Sequence, residues 1–450
     1  MTSDTIFALS SAPGRAALSV VRLSGPAAGE ALQAMTGRRL PEPRRGVLSR
    51  VRDPESDETL DYALVLWFPG PKSETGEDIA ELQLHGAPSV VAAVLQALGR
   101  LPGLRPAEAG EFTRRAFLNG RMDLTAVEGL ADLIAAETAL QRRQALLQAG
   151  GALARRAAEW RARLLRQLAE LEAVIDFPEE DLPPEAAAAL GEESAAVARE
   201  MEVAVAGAAR GERLRQGLRV VLLGPPNAGK STLLNALAGR DAAIVAETPG
   251  TTRDVLEVAL DLGGVPVTLV DTAGLRAAAA DAVEAEGMRR SRLQAEAGDI
   301  LLWLEDGSAP PEREAAGLLP EAGVLTGAGG SALLRVATKA DRPDFMDRPV
   351  DLIISVRTGR GLSDLESRLR SLAEGLLWSG AGAAPLVTRE RQRAAVAEAA
   401  AALRRLPTAA GPELQAEELR AALQALGRLV GRVDVEDLLE VIFRDFCIGK

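Results

Sequence analysis

Residues 224–232 read GPPNAGKST, and they concentrate most of the chemistry this chain can perform. Gly224 and Gly229 bracket four residues and are followed at once by Lys230 and Ser231. Glycines at those positions let the backbone curl so that its N–H groups surround a phosphate. A lysine there reaches the β and γ oxygens, and the serine hydroxyl is available to Mg²⁺. The pattern is specific only between a strand and a helix, and LRVVLLG before it and KSTLLNALAG after it supply both. A second element agrees. Asp271 closes the apolar run PVTLV and opens DTAG, where a carboxylate can hold the metal's water shell and the Gly274 N–H can sense a γ-phosphate. The expected phosphate contacts are therefore Asn227, Ala228, Gly229, Lys230, Ser231 and Thr232, with Asp271, Thr272, Ala273 and Gly274.

The base is read from TKAD at 338–341, after the short apolar run LLRVA. The Asp341 carboxylate can accept both N1–H and the exocyclic amine of guanine, a pair adenine cannot present, and Lys339 can lie along the ring. SVRTG at 355–359 stands where a loop would close over the base through Ser355, Val356 and Arg357. The substrate expected is GTP. In order, GPPNAGKS, GTTRD, DTAG, TKAD and SVRTG resemble the five signatures of the translation-factor-like GTPases. Thr338 stands where that class usually has asparagine, and its hydroxyl can still bridge loops. Val356-Arg357 replaces the usual Ala-Lys and leaves backbone contact to the base intact.

These residues must be carried by several domains. A chain of 450 residues is long enough for two or three cores. Its 47% hydrophobic and 26% charged content is ordinary for a globular protein. One cysteine excludes an internal disulfide framework, and one histidine, His85, excludes a Cys/His metal cluster, so a divalent metal must be held by oxygens. No 18-residue uncharged apolar run and no basic-then-apolar leader argue against a membrane span and secretion, and a cytoplasmic location is expected. The net charge of −12 speaks against a broad nucleic-acid-coating surface but leaves room for a local arginine patch.

Texture divides the chain into residues 1–118, an α+β module with strands at TIFALSS, ALSVVRLSG, YALVLWFP and DIAELQLHG and a helix at PSVVAAVLQALGRL; residues 119–215, helical, with Leu164, Leu168, Leu171 and Ile175 on one helix face; residues 216–375, an alternating α/β module of doubly wound type; and residues 376–450, helical again. The final helix is expected near VEDLLEVIFRDF. Because the two helical stretches flank the α/β module, they are expected to form one discontinuous domain into which that module is inserted.

Outside the nucleotide motifs, TGEDIAELQLHG (75–86), AGEFTRRAFLNGRMDLTAVEGLADLI (109–134), IDFPEED (175–181) and the terminal FCIGK resemble the MnmE, or TrmE, family of bacterial tRNA-modification GTPases, over essentially the whole chain. The resemblance implies a multidomain fold: an α+β folate-binding N-terminal domain, an all-helical central domain and an inserted Ras-like P-loop GTPase domain. It also implies a homodimer formed through the N-terminal domains and a heterotetramer with the FAD-dependent subunit MnmG. The implied reaction places an aminomethyl or carboxymethylaminomethyl group on C5 of the wobble uridine, position 34, of certain tRNAs, with 5,10-methylenetetrahydrofolate or a related folate as the one-carbon source.

Residue by residue, the resemblance makes Asn227 a K⁺ ligand, with Ala246 (through its carbonyl), Thr248 and Thr251 completing that shell, and gives Mg²⁺ to Ser231 and Thr252. No glutamine follows DTAG; Leu275 stands there and cannot orient water. K⁺ can then stand in for an arginine finger. Glu284 matches the family's catalytic glutamate beside Lys230 and Thr252, and Glu286 is the alternative, since this segment is one residue longer than is usual. Taken alone, Glu284 would pass for an ordinary surface helix residue. Folate contact is implied for Arg22, Glu81, Arg121 and Lys450, Arg121 standing where lysine is frequent. Cys447 falls at a helix C-terminus, where the dipole raises a thiol pKa, so it reads as a neighbour of the folate and not its nucleophile. His85 reads as a structural hydrogen-bonding residue. Two rival classes share parts of the pattern: a ribosome-assembly GTPase, against which the N-terminal module and FCIGK argue, and a folate enzyme with a vestigial nucleotide domain, against which Lys230, Ser231, Thr252 and Asp271 argue.

Overall fold

The structure, a computed structural model, describes residues 4–176, 184–239, 256–271, 293–310, 332–378, 384–433, 442, 443, 446 and 449. The chain groups into two compact units, one of Met1–Ala131, Gln148–Glu179 and Ala410–Lys450, the other of Asp132–Leu147 and Glu180–Ala409. Among the described residues no helix is long and apolar enough to cross a membrane.

The first unit is built on a six-stranded sheet. Its strands are β1 (Thr5–Leu9), β2 (Leu18–Ser24), β3 (Val47–Arg52), β4 (Thr59–Phe68), β5 (Ile79–His85) and β6 (Leu104–Pro106), in the spatial order β3-β4-β5-β2-β1-β6. Alternation sets its faces. In β2, Ser19, Val21 and Leu23 are buried between half-exposed Val20 and Arg22. Helices α1 (Ala28–Thr36) and α2 (Pro88–Arg100) cover one face, packing Leu32, Met35, Val94 and Leu98 against Val21, Leu23, Val65, Trp67 and Leu82. The short α3 (Glu111–Leu118) follows β6. The expected strands and α2 are present. The sequence reading did not separate α1, β3, β6 or α3. β3 carries Arg50 and Arg52 at alternate positions on a sheet edge, which hides its strand pattern.

Helix α4 (Leu124–Ala135) leads from α3, and α5 (Ala139–Ala149) follows it. In α6 (Ala152–Asp176) the buried stripe runs Leu153, Ala157, Trp160, Leu164, Gln167 and Leu171. Leu164 and Leu171 take their expected places, whereas Leu168 and Ile175 are only half-buried and Gln167 enters the seam instead.

In the second unit, α7 (Pro184–Ala206) and α8 (Ala208–Gln216) precede the second sheet. It comprises β7 (Leu218–Leu223), β8 (Leu256–Asp261), β9 (Pro266–Asp271), β10 (Ile300–Asp306), β11 (Ala332–Thr338) and β12 (Leu352–Ile353), ordered β12-β11-β10-β7-β9-β8. All pairs are parallel except β8 with β9. The near-continuous apolar run of β7, buried on both sides, is what a central parallel strand requires. Helices α9 (Lys230–Ala238) and α10 (Leu362–Trp378) pack Leu233, Leu234, Leu237, Leu365 and Leu369 into its core. The helical stretches flanking this module pair with one another: α7 packs on α11 (Glu390–Arg405), and in the first unit α6 packs on α12 (Pro412–Val430). The multidomain architecture is thus an α+β N-terminal part, helical segments, and an inserted α/β nucleotide-binding domain.

Candidate functional site

The nucleotide motifs gather at the carboxyl ends of the parallel strands, where ligands bind in open α/β sheets. Gly224 follows β7 at φ +138, and a Cβ there would drive into the Leu304 carbonyl of β10, so the loop's first residue must be glycine. Asn227 takes a left-handed φ of 63° and Gly229 one of 93°, which turns the chain into α9. The N–H groups of the first turn of α9 thereby face the loop, with the positive end of the helix dipole behind them. Lys230 is buried, and its Nζ donates to the carbonyls of Gly224 (2.7 Å) and Pro225 (2.8 Å), which holds the ammonium over the loop. Ser231 Oγ donates to Asp271 Oδ2 at 2.5 Å, and Asp271 is fully buried at the end of β9. That serine–aspartate pair is an oxygen-only donor set suited to a small hard cation.

TKAD and SVRTG converge on the same rim. The Thr338 hydroxyl lies 2.9 Å from the Ala228 carbonyl and 3.1 Å from that of Glu305, tying the end of β11 to the phosphate loop and to β10. Lys339, at φ 61°, forms an ion pair of 2.5 Å with Asp306. Burial pushes the Asp306 carboxyl up, but hydrogen bonds from Lys339 and from the Ser308 hydroxyl and N–H outweigh it and bring it to about 2. Asp341 accepts a 2.7 Å hydrogen bond from Ser355 Oγ, with Arg357 3.8 Å away. The Ser355 hydrogen bond holds the Asp341 carboxyl below its ordinary value against a smaller opposing effect of burial, so at neutral pH it accepts hydrogen bonds and donates none. Ser355 is itself fixed, its N–H donating to the Arg360 carbonyl at 3.0 Å.

In the first unit, Arg22 and Glu81 are direct register partners across β2 and β5. Arg22 Nε and Nη2 both lie 2.9 Å from Glu81 Oε1, and Nη1 reaches Glu74 at 2.8 Å. The loop that carries Glu74 also runs past Arg121, whose Cγ is 3.3 Å from where a Cβ on Gly76 would stand. Beneath it lies buried Arg115, 3% exposed, which pairs with Asp4 (3.1 Å), Glu77 (3.1 Å) and Glu111 (3.1 Å). Sequence reasoning missed both Glu74 and this hub. The signal for part of it was the i, i+4 pair Glu111/Arg115. His85 Nδ1 meets Asp61 at 2.8 Å while its own N–H donates to the same carboxylate, a structural contact at the end of β5.

The described tail residues rest on this unit. Phe443 and Phe446 pack with Leu124 and Val127, and against Gly110, which at φ +67 has no room for a side chain. Gly449, at φ +101, abuts the backbone of Leu9 and Ser10 at the end of β1. Ala246, Thr248, Thr251, Thr252, Thr272, Ala273, Gly274, Leu275, Glu284, Glu286, Cys447 and Lys450 lie outside the described residues.

A strand–phosphate-loop–helix, a serine–aspartate pair beside it and an ionised Asp341 near the same rim define a P-loop GTPase-type domain, here inserted between helical segments that follow an α+β module. Residues 5–121 match the family model of the GTP-binding protein TrmE N-terminus, and residues 124–447 that of the MnmE helical domain. The chain is 53% identical over 469 residues to the tRNA modification GTPase MnmE of Rhodospirillum rubrum, covering 100% of both chains. It is 53% identical over 456 residues to that of Parvibaculum lavamentivorans, covering 99% of this chain and 100% of the relative. Among solved structures, the G domain of the T. maritima FeoB iron transporter matches at 26% identity and a TM-score of 0.26, over 35% of this chain and 98% of that one. The chain belongs to the MnmE family.

Proposed function

We propose that this chain hydrolyses GTP as the nucleotide-driven subunit of a tRNA-modifying enzyme. With an FAD-dependent partner, MnmG, it installs an aminomethyl or carboxymethylaminomethyl group at C5 of uridine 34 of certain tRNAs, in the cytoplasm. The observation that carries this is full-length identity of 53% to a relative named as a tRNA modification GTPase, on a chain whose phosphate loop, Asp271 and Asp341 stand around one rim.

Hydrolysis is divided among the chain's own residues. Phosphate-loop N–H groups and Lys230 bind the β and γ oxygens, Asp341 selects guanine, and Glu284, or Glu286, orients the attacking water that Leu275 cannot. Ser231 and Thr252 would hold Mg²⁺, which when bound neutralises charge on the transferred phosphoryl group. Asn227, with Ala246, Thr248 and Thr251 oxygens, would hold K⁺, which supplies positive charge between the phosphates. The left-handed turn at Asn227, inside the loop, supports that role. The two G domains of a homodimer are drawn together in the GTP state. Exposed Leu48, Tyr62 and Leu64, on the outer face of β3 and β4, support self-association through the N-terminal parts.

The folate-type site draws on Arg22, Glu81, Arg121 and Lys450, and a bound folate would present the one-carbon unit. The Arg22–Glu81 pair fits a pterin edge, a carboxylate for its donors beside a guanidinium for its acceptors. The packing of Gly449 on Leu9–Ser10 supports a tail that closes over this part of the sheet, since Ala8 is the register partner of Arg22.

The deciding experiment is GTP turnover by the purified chain in KCl against NaCl at matched ionic strength, with Glu284→Ala alongside. Potassium-specific stimulation, and a variant with lower kcat but unchanged GTP affinity, are the expected results. Equal rates in both salts remove the K⁺ site. A GTP Kd that worsens as much as kcat falls removes Glu284 from catalysis.

A further inference from the structure

Six arginines and one glutamate fall between Arg38 and Arg52, on a chain whose net charge is −12. Arg50 and Arg52 are committed to Asp57. The others are not consumed in this way. Arg38 and Arg39 follow the C-terminus of α1, are exposed, and carry no hydrogen bond or ion pair among the described residues. Among the described residues Arg45 pairs only with Glu42, both being over 70% exposed, a contact worth little against a competing anion.

The loop that presents them is anchored. Leu40 packs on the core of the first unit, and the Arg44 N–H donates to the Trp67 carbonyl at 2.8 Å. The Arg44 guanidinium donates to the carbonyl of exposed Lys72, joining this loop to the one that follows β4. The Arg44–Lys72 junction lies at the sheet end where Arg22 meets Glu74, two residues beyond Lys72, whereas Gly37, just before Arg38 and Arg39, stands against the Arg52 guanidinium at the opposite end of β3, so the loop runs the length of that strand.

We infer that the basic rim strung along this loop, from Arg38 and Arg39 at the Arg52 end of β3 to Arg44, Arg45 and Lys72 at the other, grips the sugar–phosphate backbone of the substrate RNA and leads it to the Arg22–Glu81 site. Stabilisation of the α1 dipole accounts at most for Arg38 and Arg39, since the other three cations sit at no helix end. Charge complementarity favours a polyanion, and guanidinium forks match phosphate oxygens. Residues 37–46 and 69–78 contain no aromatic side chain on which a base could stack, so the contact is to backbone and independent of sequence. This rests on the tRNA-modifying function proposed above.

The test is fluorescence anisotropy of an unmodified tRNA transcript with the full chain, across a KCl series, for wild type and for R38Q/R39Q/R45Q, which spares the Arg44 link. The variant is expected to bind at least tenfold more weakly at low salt. Its log K against log [salt] slope should be shallower by about 2–3, as expected for three lost phosphate contacts. GTP turnover should be unchanged. Wild type that binds while the variant binds equally overturns the surface alone, and wild type that binds no RNA at any salt overturns direct contact. A variant that keeps its RNA affinity but loses affinity for a pentaglutamyl over a monoglutamyl folate assigns the rim to the folate tail and overturns the proposal. Whether uridine 34 goes unmodified in cells lacking the chain, read by mass spectrometry of tRNA hydrolysates, tests the underlying function separately.

Discussion

Replacing Asp341 by asparagine changes one oxygen to an NH₂ group and should change which base the site accepts. The native carboxylate is held ionised, chiefly by the Ser355 hydroxyl at 2.7 Å. It can therefore accept from both N1–H and the exocyclic amine of guanine. Hydrogen bonds to a charged group contribute about 1.5–3 kcal/mol each. Asparagine retains one acceptor, which can keep the Ser355 hydrogen bond or one base contact, and turns its NH₂ toward the guanine amine, donor against donor. The combined loss is about 3–4 kcal/mol, or about 10²–10³ in affinity at 1.4 kcal/mol per tenfold. Xanthine carries a carbonyl where guanine carries that amine, so the same NH₂ group becomes a donor to it. Titration of the variant with fluorescent GTP and XTP analogues should show GTP binding lost by this factor and XTP binding gained. Because the folded carboxyl lies below 3.8, wild-type affinity should show no pH dependence from this group between pH 5 and 8. Unchanged GTP affinity, or equal losses for both nucleotides, would refute Asp341 as the base-reading residue.

Gly224→Ala puts a methyl group into the Leu304 carbonyl at φ +138 and should cost GTP binding more than about a hundredfold or prevent folding of that unit; Gly239→Ala, at φ −85 with its nearest contact at 3.5 Å, should bind normally by the same titration. Arg115→Met leaves the carboxylates of Asp4, Glu77 and Glu111 without their buried cation and should destabilise the first unit by about 3–5 kcal/mol, read as a lowered first transition in calorimetry. The hydrogen bond from Arg105 holds the Asp4 carboxyl below 3.8, and for Glu111 burial is outweighed by Arg105, the Glu108 N–H and Arg115, which hold it below 4.5. Their stabilisation is therefore full above those values and lost as pH falls through the lower folded values, and Arg105→Met, which removes the largest lowering contact of both, should flatten that acid limb of the first unit's transition. Phe446→Ala empties a buried position beside Phe443 and Leu124 and should cost about 3–5 kcal/mol of local stability, exposing the C-terminal residues to limited proteolysis while GTP turnover stays unchanged.

The nucleotide rim was legible in the sequence because its geometry is dictated locally. A phosphate loop needs glycines where the backbone turns left-handed or presses on a neighbouring strand, and Gly224 and Gly229 meet those needs within six residues of one another. Thr338 shows the limit of that legibility. Its type suggested a bridge, but only the parallel pairing of β10 with β11 shows that the bridge joins Ala228 to Glu305. In the first unit the useful information is almost all non-local. Arg115 and Asp4 are separated by 111 positions, and Arg22 and Glu81 by 59, so no periodicity could pair them. What the register of β2 with β5 adds is a constraint on how that site works. Arg22 is shared between Glu81 and Glu74, whose side chains are 15% and 56% exposed. An anion approaching Arg22 would compete first with the exposed, more weakly held Glu74 and leave Glu81 in place. The loop itself stays anchored when Glu74 lets go, through Asn119 Nδ2 to the Thr75 carbonyl, Ser24 Oγ to Glu77 and the Gly70 N–H to Asp78, each at 2.8 Å.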